Sequence, residues 1–441
     1  MNKKSIKQSS NNLISFFSLN NFEKREKKLF FLLCFVWLLF YVFRLLSNSF
    51  FLTDSHEYME IARIIGNCSY FDKNADFRLL TKRPFVYPLF LSILSDLKPF
   101  AIIFIQSLFG ILNTFILFKT VKKIAGPIKK EALMLFIFTP SIFIYTHLLM
   151  SEWLIMLFLN LLAWLLIQKW SKTNFAYIQL LTLLLAFTKP VFYPFIYVNF
   201  LFFGIYMIRK RVFSFWLFLP ILCLQGYLNY NETRTGYKHF SSIENINLIN
   251  YNLYYFKSST QSKEKADTWL SSIYNSDKYE NKSFGEQNDY LKEVATTEIK
   301  NNFLSYSLYH FFTAVRGIFD PGRFDLMTYF EKEDGKQGFL EILNGQKTLF
   351  SLFRNKYLLI YLLLIPIFIV NALKWFYFSK FIIKSKTYTK HFYLILLLFY
   401  YILVTGPVNC SRYMMPFQGL LFVFALAGFY GSTKAKNKKL D

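Results

Sequence analysis

Apolar stretches approaching twenty residues recur along most of this chain, and short basic segments separate them. An α-helix needs roughly 20 apolar residues to cross a hydrocarbon core of about 30 Å. Inside lipid, each backbone N–H and C=O must be satisfied within the segment, so a helix is the expected form. The pattern therefore predicts an all-α, multi-pass membrane protein. The 441 residues include 55 Phe, 30 Tyr and 7 Trp. A soluble fold of this length could not hide that aromatic surface in cores bounded by polar faces. A disordered chain, a secreted disulfide scaffold and a soluble nucleotide-fold enzyme are excluded.

The net charge of +24 would suit nucleic acid, but its distribution does not. Residues 1–28 carry seven Lys/Arg against two Glu, and further clusters fall at Lys119–Lys130, Arg209–Arg211, 374–390 and Lys434–Lys439. Residues 231–355 hold 15 Lys/Arg and 16 Asp/Glu, and 49–97 hold five and six. That asymmetry follows the positive-inside rule, not a basic groove, and predicts membrane lipids rather than nucleic acid as the surroundings.

The reading divides the chain as follows. Residues 1–28 are a cytoplasmic basic leader. Residues 29–230 form a transmembrane module, with its first outer loop at 49–97. Residues 231–355 form an extracytoplasmic loop region, 356–431 the last helices, and 432–441 a cytoplasmic tail. About ten transmembrane helices are expected, near 29–48, 99–118, 132–150, 153–168, 175–189, 191–208, 213–230, 357–378, 391–406 and 414–430. The first is expected to be an uncleaved anchor, and both termini cytoplasmic, in the cell inner (plasma) membrane. Lys189-Pro190 predicts a tight turn or broken helices. Tyr58, Ile61, Ala62 and Ile65 repeat at helical spacing in the first outer loop, which predicts an interfacial helix. A second short helix is expected after Pro84, at 85–96. Residues 290–319 read as a helix on the outer surface, with Leu291, Phe303, Leu308, Phe311 and Phe312 in its apolar part. An eleventh span at 303–319 would invert the charge pattern beyond it. Cys34 and Cys223 read as packing residues, and the shared outer placement of Cys68 and Cys410 leaves a disulfide open.

Walker, dinucleotide and zinc-finger spacings are absent, as is the GxSxG elbow. The informative ionisable residues sit at the outer ends of spans, where charge is costly unless used or paired. Asp54, just past the first span, can serve as a base for an attacking hydroxyl or as a helix N-cap. His56 and Glu57 could join it around a metal ion. Glu152 opens a span, as a helix-dipole charge or as a cavity residue. Lys189 stands against the positive-inside trend, by snorkelling or by binding an anion. Arg83 and Arg412 each lie beside or near a proline at an outer edge. Two carboxylates and three cations from five separate points of the chain thus converge on one face. Such a set suits an anionic lipid-linked substrate, with its phosphate at the interface and its chain in the bilayer.

These positions, in order, are Asp54 with Tyr58-x-x-x-Ala62, Arg83-Pro84-x-x-Tyr87-Pro88-Leu89-Phe90, Ser151-Glu152, Thr188-Lys189-Pro190 and Arg412-Tyr413-x-x-Pro416. The ordered set resembles the GT-C superfamily of integral-membrane glycosyltransferases, especially the bacterial group that includes aminoarabinose transferases and protein O-mannosyltransferases. It departs from them in Pro84-Phe85-Val86-Tyr87-Pro88 and in having no separate C-terminal soluble domain. The resemblance implies a polyprenyl-phosphate-sugar donor, transfer on the extracytoplasmic face, and a lipid, glycan or protein acceptor. It implies Asp54 as base and Glu152 lining the same cavity, with Glu57, Tyr58, Arg83, Tyr87, Lys189, Arg412 and Tyr413 around the substrate. Some members use a divalent metal, for which Asp54, His56 and Glu57 are the candidates here. The expectation is an inverting glycosyltransferase. Its rivals are a polysaccharide repeat-unit polymerase or ligase and a lipid or sugar transporter, the last expected to carry ionisable residues at mid-membrane.

Overall fold

The computed structural model describes residues 18–72, 75–331, 358–384 and 388–437. Every regular element among them is helical. The first module holds α1 (Lys24–Ser47), α2 (Thr53–Gly66), α3 (Phe77–Lys82), α4 (Val86–Ser92) and α5 (Pro99–Ile124). It continues with α6 (Lys130–Ile137), α7 (Pro140–Thr146), α8 (Glu152–Leu166), α9 (Lys172–Ala186), α10 (Phe195–Lys210) and α11 (Leu219–Thr235). A mostly polar run of helices follows: α12 (Glu244–Asn247), α13 (Tyr254–Thr260), α14 (Lys263–Tyr274), α15 (Phe284–Asn301), α16 (Phe303–Ile318) and α17 (Arg323–Glu331). The chain closes with α18 (Leu358–Lys384), α19 (Phe392–Thr405), α20 (Ser411–Met414) and α21 (Gln418–Asn437).

Among the described residues, five stretches are long and apolar enough to cross a membrane: Lys24–Ser47, Pro99–Ile124, Pro190–Lys210, Ile360–Lys384 and Ser411–Gly431. Glu152–Leu166 and Phe392–Val408 are shorter apolar helices. The chain is thus an all-helical membrane protein in which five of the ten expected spans stand as full-length helices. The others are short or broken, for visible reasons. The stretch 132–150 divides into α6 and α7 at Thr139-Pro140, because proline supplies no N–H to the preceding turn. The turn expected at Lys189-Pro190 is present, as a 3-10 turn between α9 and α10. Pro366, by contrast, is carried inside α18 without dividing it.

Sequence dictates how the helices start and meet. Glu26 Oε2 accepts from Glu23 N at 2.8 Å, closing the first turn of α1 as a capping box. Pro99 opens α5, where its missing N–H costs nothing. Trp37 of α1 donates to Thr114 of α5 at 3.0 Å, and Asn160 of α8 donates to Asn113 of α5 at 2.9 Å. Such cross-helix bonds substitute for the hydrophobic drive that lipid does not provide. One core runs through the bundle. A smaller one, around Ile249, Leu253, Phe256, Ile273, Leu291, Ala295 and Tyr306, holds the 244–318 helices together.

The interfacial helix expected after the first span is α2, with Tyr58, Ile61 and Ala62 buried and Ile65 half-buried. The second expected short helix is α4. The stretch 290–319 forms not one helix but the end of α15 and all of α16, divided at Asn302, whose side chain donates back to the Glu298 carbonyl at 3.0 Å. The stretch 303–319 is not among the helices long and apolar enough to span. All four thiols are free, so Cys68 and Cys410 are not paired. Most of the basic leader, residues 332–355 of the large loop, the first two residues of the 356–431 region and the last four residues of the tail lie outside the described residues.

Candidate functional site

Five parts of the chain meet at one face of the bundle: the first turn of α2, the segment from α3 to α4, the start of α8, the turn after α9, and α20. Leu52 N is capped by Ser55 Oγ at 2.9 Å, so Asp54 is not the helix cap. Its carboxylate is free to face inward. Asp54 Oδ1 accepts from Arg83 Nη2 at 2.8 Å, and Oδ2 accepts from Arg412 Nη2. Arg83 also donates through Nε to Glu57 Oε2 at 2.7 Å, and Lys82 pairs with Glu57 Oε1. Arg412 donates through Nε to Glu152 Oε1 at 2.9 Å, and Lys189 reaches the same oxygen at 3.1 Å. Each arginine therefore bridges two carboxylates, a task that suits a planar guanidinium and not an ammonium.

The result is one continuous network of three carboxylates and four cations. Its partners are separated by up to 358 positions in sequence. Four positive against three negative groups leave an excess of one positive charge. Tyrosines frame it. Tyr58 is buried under Arg83, with its hydroxyl 3.2 Å from Ser151 Oγ. Tyr87 meets Tyr58 edge-on at 4.9 Å and donates to Gln106 at 3.0 Å. Lys189 lies over the Tyr413 ring at 4.5 Å. Its side chain is largely buried between Glu152 and that ring, so it does not snorkel. The expected base and substrate residues thus lie in or against this cluster, Lys82 joins it, and His56 stands outside it.

The electrostatics follow from burial and pairing. Burial alone would raise the Asp54 carboxyl, but the Arg412 and Arg83 charges outweigh it and hold the group down at about 2. Asp54 is therefore an ionised, cation-clamped carboxylate. Arg83 is held above its ordinary range: burial opposes this, but Tyr58, Asp54 and Glu57 together prevail. Glu152 is wholly buried, and its Oε2 has no hydrogen-bond partner among the described residues. A buried acceptor left unpaired is costly, which marks this oxygen as a place for a ligand donor.

The metal expectation does not fit. Among the described residues no three His, Cys, Asp or Glu gather closely enough to hold an ion. Asp54 and Glu57 both turn to Arg83, and His56 is exposed and stacked on Phe51 at 5.1 Å.

Sequence reading missed the polar knot behind Arg412. Ser411 donates its N–H to Asp320 Oδ2 at 2.9 Å and its hydroxyl to Asp325, which also accepts from Tyr145. Burial, with the nearby Asp320 charge, pushes Asp325 up to about 7 against the pull of Tyr145 and Arg412. A cleft beside it is lined by Asp320, Asp325, Asn371, Ser411 and Gln418. Asp320 and Asp325 lie in a charged stretch with no periodic signal, so nothing local singled them out.

Comparison of the chain with protein-family models, with curated proteins and with solved structures gives no match.

Proposed function

We propose that this protein is an inverting membrane glycosyltransferase of the GT-C type. It takes a sugar from a polyprenyl-phosphate donor and passes it to a lipid, glycan or protein acceptor on the extracytoplasmic face of the cell inner membrane. Both termini are then cytoplasmic, with 49–97 and 231–355 outside. The observation that carries this reading is the joined network of Asp54, Glu57 and Glu152 with Lys82, Arg83, Lys189 and Arg412. Its excess cation suits a phosphate better than a neutral ligand.

The chemistry follows from the geometry. The acceptor hydroxyl attacks the anomeric carbon as the carbon–oxygen bond to phosphate breaks. The bonding electrons leave on the phosphate oxygen, and the hydroxyl proton passes to Asp54. A carboxyl held near 2 by two guanidinium groups is a poor base. An arriving phosphate competes for Arg83 and Arg412, and each contact it takes releases Asp54 to accept a proton. Donor binding thus activates the base. Glu152 Oε2, without a protein partner, accepts from a sugar hydroxyl.

A transporter is the second reading, favoured by Lys374. This lysine is buried within α18, and among the described residues its ammonium meets only Thr139 at 3.1 Å and Gln418 at 2.5 Å. A buried intramembrane lysine whose partners among the described residues are neutral is the mark expected of a substrate or ion path.

Mass spectrometry of glycolipids and surface polysaccharides, from cells with and without the gene, separates the two. Transfer predicts one missing sugar and an accumulated sugar donor. Unmodified lipid or glycan stranded on one side of the membrane, with no sugar missing, sinks the transferase reading.

A further inference from the structure

Helix α16 carries a broad apolar face that no part of the described protein covers. Phe303 is 68% exposed, Leu304 71% and Phe312 64%, with Leu308 and Phe311 beside them. Their spacing places them on one half of the helix, while Ser305 and Arg316 are exposed on another side. Tyr306, Thr313, Ala314 and Gly317 form the buried side. That buried side seats α16 on the end of α19: His310 Nε2 lies 2.6 Å from the Leu403 carbonyl oxygen. The α19 residues at this junction, Leu403 and Val404, are themselves exposed apolar side chains of a shorter apolar helix. The apolar face of α16 therefore adjoins the exposed apolar side chains of α19.

The buried side of α16 also grips the segment that leads into Arg412. Asn409 Nδ2 donates to the Ala314 carbonyl at 2.8 Å. A Cβ on Gly317 would stand 2.5 Å from the Asn409 carbonyl oxygen, so only glycine permits this approach. Gly406 turns through a positive φ of 41°, and a Cβ there would strike the His310 ring at 2.2 Å. Asp320, two residues beyond α16, holds the Ser411 N–H.

We propose that α16 lies in the lipid leaflet on the side of the ion network, and that this seat fixes the 406–412 segment and with it Arg412. Lipid is the occupant because the patch adjoins exposed apolar side chains of α19, which packs on the span-length helix α10. Amphipathic helices bury such faces at the acyl boundary in just this manner. The proposal does not rest on glycosyl transfer.

The test uses the full-length protein in liposomes and a lipid-soluble carbene precursor. After photolysis, peptide 303–312 is expected to label at a level near that of the exposed face of α1, and at least tenfold above α15. Labelling no greater than in α15 overturns the lipid seat. So does labelling that rises sharply when the vesicles are diluted to one copy each, since a second copy would then be the cover. The coupling is read separately by hydrogen exchange in Leu308→Asn/Phe312→Asn. Residues 406–414 should exchange at least tenfold faster while α5 keeps its rate, and unchanged exchange at 406–414 overturns the coupling. If the double variant also accelerates exchange across α5, Phe312→Ser alone carries the same two outcomes.

Discussion

Asp54 and Asp325 lie on two sides of the same arginine segment, and their carboxyls are shifted in opposite directions. Asp54 meets two guanidinium groups and is held ionised near 2. Asp325 is bound by two hydroxyls, Tyr145 and Ser411, and sits near 7. Both are removed from water, so burial alone does not set protonation. The partner does: a charge compensates a carboxylate, whereas a hydroxyl only satisfies it. The ion network thus keeps its carboxylate charged between cations, and the knot behind it ties down the segment that carries Ser411.

The largest expected effect breaks the charged side of that comparison. Arg412→Ala leaves Asp54 with Arg83 alone and Glu152 with Lys189 alone, and removing one partner from a buried ion pair costs about 3–5 kcal/mol. Thermal unfolding in lipid reads this directly. A loss under about 1 kcal/mol would mean the network is no more than a surface pairing.

Asp54→Asn acts next, on function rather than folding. Asparagine keeps the shape but not the base, and sugar transfer should fall on the order of a hundredfold with donor binding retained. Full transfer by this variant removes the mechanism proposed above.

The third prediction concerns pH, and the two aspartates carry opposite signs. Asp54 is depressed in the fold, so its stabilisation is present above about 4 and is lost as pH falls towards 2. Asp325 is raised, so the unfolded chain sheds that proton first. Its contribution is fully present below about 4, declines as pH rises to about 7 and is level beyond. Asp325→Asn should flatten that decline by up to about 4 kcal/mol across the window. A decline that persists unchanged in the variant assigns it to another group.

Glu57→Gln gives the smallest effect. Its partner Lys82 is 35% exposed and water screens that end of the network. The expected loss is about 0.5–1 kcal/mol in unfolding stability. A loss equal to that of Arg412→Ala would show that depth does not grade the network.

Much of the site was legible because its residues violate local rules. Asp54, Glu152, Lys189 and Arg412 each place charge where an apolar span ends, and that cost is visible in a linear string. Helix positions were legible from the same apolar runs, and α2 from its periodicity. The division of 132–150 was less so, since Thr139-Pro140 sits inside an unbroken apolar run and a proline can also be carried within a helix, as Pro366 is.

By itself, then, the sequence determined that the chain is helical, that it belongs in a membrane, and which charges must find partners. The free energies involved, of apolar burial and of uncompensated charge, belong to segments and single residues. Only the tertiary structure decided the pairings. Arg412 could have met Asp54, Glu152 or neither, and it bridges both because α20 is turned towards α2 and α8. Asp325 could have been one more solvated acid of the polar stretch. Burial beneath Ser411 and Tyr145, beside the Asp320 charge, raises its carboxyl instead. Such contacts join residues up to several hundred positions apart, and Coulomb and hydrogen-bond energies depend on a few ångströms that no spacing in the sequence encodes.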